Sequence, residues 1–108
     1  MNRGERRALW HYRLRGYRIL GSNVHAGRYE LDLIVRRGHT LLFVEVKQRS
    51  SAGFGGALGA VDAEKRRRVH RAAQAWLTRN PQRRGIRIGF EVAAVEQGRL
   101  ERRLMRLD

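Results

Sequence analysis

The chain has 108 residues, no cysteine, 42% hydrophobic residues and a formal net charge of +14. That length suits one domain with one core, residues 1–108, and the missing cysteines exclude disulfides and thiolate zinc sites. No run reaches the roughly 20 apolar residues of a membrane span, "MNRGERRALW" has no apolar signal core, so a cytoplasmic protein is expected, and the positive surface suits a polyanion such as nucleic acid.

Residues Arg3 to Arg15 read as a helix. Glu5, Ala8, Leu9 and Tyr12 form one stripe at i, i+3, i+4 and i+7, and Gly16 is a C-cap candidate. A glutamate in the first turn also suits the helix dipole, so spacing alone gives Glu5 no chemical role. Tyr17 to Leu20 reads as a short strand and "GSN", Gly21 to Asn23, as a turn. Tyr29 to Val35 and Thr40 to Lys47 are the best strands, rich in branched and large apolar residues, with "RRGH", Arg36 to His39, between them. Arg49 to Gly56 is small and Gly-rich, a loop. Asp62 to Arg79 reads as a second helix, capped by Asp62. Val69, Ala72, Ala73, Trp76 and Leu77 form its buried stripe, while Lys65, Arg66, Arg67, Arg68 and Arg71 dominate the rest. Ile86 to Val95 is a fourth strand, and a last strand after Gly98 carries Leu100, Leu104 and Leu107. His11, His25, His39 and His70 have no metal spacing and read as surface or helix-face residues. Trp76 reads as core; Trp10 and Tyr29 are the better candidates for stacking on bases.

Charges sit inside the two best strands where a plain core hairpin would not put them. Side chains alternate along a strand, so Glu30 and Asp32 share one face of theirs, and Glu45 and Lys47 likewise share one face of theirs. A turn centred near Arg37 and Gly38 sets Asp32 opposite Glu45 or its neighbour, and Glu30 opposite Lys47 or its neighbour. Two carboxylates at about 4 Å repel by roughly 4 kcal/mol at an effective dielectric near 20. Lys47 offsets part of that. A divalent metal offsets more, and oxygen-only donors point to Mg²⁺ or Mn²⁺. Such a metal beside a basic surface suits phosphodiester hydrolysis. Of the 24 cationic residues only Lys47 and Lys65 are lysine. A lysine inside an apolar strand therefore reads as chosen for a compact point charge. The alternative is a structural cluster: a Glu30–Lys47 cross-strand pair with Asp32 and Glu45 solvated at the sheet edge.

Asp32 followed by "EVK", Glu45 to Lys47, resembles the PD-(D/E)xK nuclease motif. Around it stand "GE" at Gly4–Glu5, "RGYRIL" at Arg15 to Leu20, "ELDLI" at Glu30 to Ile34, "FVEVKQR" at Phe43 to Arg49, "FGG" at Phe54 to Gly56, "AVDAEK" at Ala60 to Lys65 and "FEVAAV" at Phe90 to Val95. In this order, over nearly the whole chain, they resemble the bacterial YraN family, whose nuclease-like fold is similar to that of archaeal Holliday-junction resolvases. The resemblance implies an α/β, restriction-endonuclease-like fold, a mixed central sheet flanked by helices. It further implies Glu5, Asp32 and Glu45 as metal ligands, with Lys47 as the catalytic cation. Glu30 matches an acidic position of the family without a defined role. Arg28–Tyr29 replaces the usual Gly-Gly and Gln48 the usual Thr; no motif carboxylate is lost.

The leading expectation is a Mg²⁺- or Mn²⁺-dependent nuclease on DNA, with branched or structured DNA implied by the resemblance. Lys65, Arg66, Arg67 and Arg71 are the expected phosphate contacts. A resolvase cutting two strands calls for a two-fold homodimer. The alternatives are a non-catalytic nucleic-acid-binding module of the same fold and a protein whose basic face docks an acidic partner.

Overall fold

The computed structural model describes residues 1–49 and 63–106. Its order is α1 (Arg3–Leu14), β1 (Arg18–Ala26), β2 (Tyr29–Arg37), β3 (Thr40–Arg49), α2 (Ala63–Arg79), β4 (Arg87–Glu96) and β5 (Arg99–Leu104). The strands form one mixed sheet in sequence order, β1-β2-β3-β4-β5. Neighbours run antiparallel except β3 and β4, which are parallel. A parallel pair needs a crossover, and α2 lies within that connection. The arrangement is an α/β fold consistent with the restriction-endonuclease-like class.

The alternation of the strands gives each face its helix. Leu33 and Val35 of β2, Leu42 and Val44 of β3, and Ala93 of β4 pack with Ala8 and Tyr12 of α1. Ile34, Leu41, Phe43 and Val92 pack with Val69, Ala72 and Ala73 of α2. Trp76 is half-buried against this second cluster and meets Phe43 edge-on at 5.7 Å, in agreement with its core reading.

The ends of α1 are fixed by its own sequence. Asn2 and Glu5 form a capping box, in which the Asn2 side chain accepts from Glu5 N at 2.8 Å and Asn2 N donates to Glu5 Oε1 at 2.9 Å. Gly16 takes φ +87°, Gly16 N donates to Arg13 O and Tyr17 N donates to Tyr12 O, a Schellman close. Gly4 N donates to Gln48 Oε1 at 2.7 Å, and a Cβ at Gly4 would lie 2.6 Å from that oxygen and 2.9 Å from the Gln48 Cβ. The glycine therefore permits the close approach that seats the start of α1 on the end of β3.

Several expectations need correction. "GSN" is no turn: β1 runs through it to Ala26, with a register shift between Ile19 and Gly21 and Asn23 at φ +48°. The turn is Gly27–Arg28, closing the Ala26–Tyr29 pair, with Gly27 at φ +63°. The next hairpin turns at Gly38–His39 rather than Arg37–Gly38, and its register, Leu33 with Val44 and Arg37 with Thr40, is the expected one, which sets Asp32 at the level of Glu45. Leu104 is 68% exposed, and Met105 takes the buried place instead. His11 is buried rather than superficial. The Gly-rich stretch 50–56, the Asp62 cap and Leu107 lie outside the described residues.

Candidate functional site

The β2–β3 ladder ends at the Leu33–Val44 pair, although both strands continue. Beyond it Asp32 Oδ2 accepts from Val46 N at 2.8 Å, so a side chain takes the place of a ladder carbonyl. The strands fork there, and the fork gathers charge. Glu45 is 4% exposed, and its Oε1 lies 3.2 Å from Lys65 Nζ and 3.6 Å from Lys47 Nζ. Asp32 is half-buried and hydrogen-bonded to Glu45. Burial, then the Glu45 charge, pushes the Asp32 carboxyl up to about 7, against the pull of the Val46 N–H. Asp32 thus keeps its proton up to near neutrality.

A second group adjoins the first. Carboxylate oxygens of Glu5, Glu30 and Asp32 lie within 4.8 Å of one another. Glu5 reaches the fork from the first turn of α1, where it also closes the capping box. Glu30 also accepts from Asn23 Nδ2 at 3.2 Å and sits 3.5 Å from His25 Nε2. No Glu30–Lys47 ion pair forms; Lys47 turns to Glu45.

Asp32, Glu45 and Lys47 therefore meet, with Glu5 alongside. Glu30 joins Asp32 and Glu5 more closely than the sequence implied, at the point where β2 and β3 are no longer paired. Lys65 was expected on a phosphate-binding face, but the structure places its ammonium on Glu45. Its signal was available: it is the second of two lysines in an arginine-rich chain. Arg66 is half-buried, and its Nε has no hydrogen-bond partner among the described residues. Arg67 and Arg71 are exposed, Arg68 pairs with Glu64, and Tyr29 lies beneath the Arg68 guanidinium at 5.8 Å.

A separate polar network on the α1 face was missed. Glu91 accepts from Tyr12 Oη at 2.7 Å and from Arg102 Nε and Nη2 at 2.8 and 3.0 Å. The Arg102 guanidinium lies 4.7 Å from the Tyr12 ring centroid. Beside it His11 is held down at about 4, first by burial, then by the charges of Arg15, Arg102 and Arg7. The network joins α1 to β4 and β5 and lies on the sheet face opposite α2.

The chain resembles known proteins along most of its length. The profile of Uncharacterised protein family UPF0102 matches residues 4–99. A UPF0102 protein of Alkalilimnicola ehrlichii is 47% identical over 79 residues, 73% of this chain and 63% of its own length. One of Methylorubrum extorquens is 46% identical over 91 residues, 84% and 70% of the two chains. One of Rhizorhabdus wittichii is 54% identical over 76 residues, 70% and 63%. The chain thus spans less than two thirds of the first and third of these relatives. The profile match over residues 4–99 and the identity to these relatives place this protein in the UPF0102 family, which is the YraN family.

Proposed function

We propose that the β2–β3 fork is the active site of a Mg²⁺- or Mn²⁺-dependent nuclease acting on DNA. The charge balance of the fork carries this reading. Glu5, Glu30, Asp32 and Glu45 face Lys47 and Lys65, a balance of −2 when all are ionised. The raised Asp32 carboxyl supports a proton relieving part of that excess, and a divalent cation would cancel it. The donors fit a hard cation, since all are carboxylate oxygens. Glu5 and Asp32 are common to the closest cluster and to the set Glu5, Asp32 and Glu45, and of these two Asp32 also adjoins Glu45, which makes it the pivotal ligand.

When bound, the metal supplies Lewis acidity to a phosphoryl oxygen and acidifies a coordinated water. Lys47 leaves Glu45 to orient that water or to meet charge developing on the phosphate. Lys65 pairs with the Glu45 carboxylate and holds it in the fork. Arg67 and Arg71 hold the DNA backbone. This chemistry is placed in the cytoplasm, and cutting both strands of a branched DNA calls for a second copy of the chain.

One observation favours a second reading, a non-catalytic nucleic-acid-binding module: Glu45 already has two ammonium partners. A cleavage assay with Mg²⁺ and Mn²⁺ on linear, flap and four-way DNA separates the two. Metal-dependent cutting is expected, lowered by roughly 100-fold or more in Lys47→Ala. Equal cutting by both proteins contradicts the active-site reading, and DNA binding without cutting selects the module.

A further inference from the structure

The outward face of α1 has a chemistry that the fork does not use. Arg3, Arg6, Arg7, Trp10, Arg13 and Leu14 recur at i, i+3, i+4, i+7, i+10 and i+11, and all six are exposed. The one acidic residue of α1, Glu5, lies on the opposite stripe, in the fork cluster. The outward stripe thus carries four guanidinium groups and no carboxylate, which suits a polyanion.

Trp10 makes the stripe more specific. Half of its surface is open to solvent, where a solvated helix face has no use for the largest apolar side chain. The Arg13 guanidinium lies 5.5 Å from its ring centroid, within cation–π range. The pair therefore offers a π surface and a cation together, as single-strand binding requires: the ring stacks a base and the cation takes its phosphate. A duplex hides its base faces by stacking, so the partner must expose unstacked bases. The same helix holds Glu5 in the fork at its first turn, on the side away from the stripe, so a strand bound along α1 lies about one helix diameter, roughly 10 Å, from the carboxylates.

We propose that this face of α1 is a binding track for single-stranded DNA, with Trp10 as its stacking platform. The track selects DNA with an unpaired strand beside the fork. The choice of DNA rests on the nuclease reading above, whereas the track itself does not require cleavage.

Trp10 reports on the track directly, because the chain has two tryptophans and Trp76 is half-buried against the core. Oligothymidylate of about eight nucleotides is titrated against wild type, Trp10→Phe and Trp10→Ala, with a duplex and with anionic vesicles as separate arms. The oligonucleotide should quench wild-type emission and leave that of Trp10→Phe, which retains only Trp76, unchanged. Trp10→Ala should bind the oligonucleotide about tenfold more weakly or worse, while its duplex affinity changes less than about twofold. Duplex binding with a silent Trp10, or equal loss on both DNAs, overturns the track and leaves the nuclease reading standing. No binding of either DNA overturns both. Binding of vesicles in preference to the oligonucleotide assigns the face to a membrane surface and overturns the track. Circular dichroism verifies that each variant is folded.

Discussion

Asp32 and His11 set opposite pH dependences on the same chain. Asp32 is raised to about 7 by burial and by Glu45, so the folded state holds its proton where the unfolded chain has released it. Its contribution therefore falls as pH rises from about 4 to about 7. His11 is lowered to about 4 by burial and neighbouring arginines, so protonation opposes folding, and its contribution rises as pH climbs from about 4 to about 6.5. Across that window the two largely offset. Asp32→Asn removes one of them while keeping an acceptor for Val46 N. The variant should become more stable with rising pH between about 4 and 6.5, and at pH 8 should exceed the metal-free wild type by about 2 kcal/mol. Urea melts at pH 4.5, 6.5 and 8 measure both effects; parallel pH profiles for the two proteins would remove the Asp32–Glu45 coupling.

At the scale of elements, α2 has two roles on two faces. Lys65 turns to Glu45, whereas Arg67 and Arg71, four residues apart, are exposed along one line. Neutralising Arg67 and Arg71 together should flatten the plot of log DNA affinity against log salt by up to about two units of slope. An unchanged slope would make them a solvated face. The same helix shows what a sequence reveals. Its apolar stripe and the alternation of β2 and β3 were legible, because burial imposes those periods directly. The meeting of Asp32, Glu45 and Lys47 followed from that alternation and from a short turn. β1 was legible only at its start, Arg18 to Leu20: Gly21, Ser22 and Asn23 have turn chemistry, yet an edge strand tolerates them along with a register shift. Nor was the Lys65–Glu45 contact, because it joins residues on separate elements through the crossover after β3. Periodicity within one element carries no information about such a meeting. The same holds for the Glu91–Arg102–Tyr12 network, where a glutamate inside an apolar strand was the available signal.

The whole molecule sets a small acidic fork within a chain of net charge +14. α1 and α2 cover opposite faces of the sheet, and Glu5 of one and Lys65 of the other reach the fork between β2 and β3. Among the described residues no helix is long and apolar enough to cross a membrane. Both helices instead present arginines outward, on two flanks of the carboxylates. A bare fork repels phosphate, so cation binding should precede productive contact with DNA. Calorimetric titration of the metal-free protein with Mn²⁺ at pH 8, wild type beside Asp32→Asn, isolates that step. A saturable site in the wild type is expected, with affinity at least about tenfold weaker in the variant, since a charged hard-oxygen donor is lost. Equal affinity in the two proteins, or no saturable site in the wild type, would contradict a metal centre in the fork.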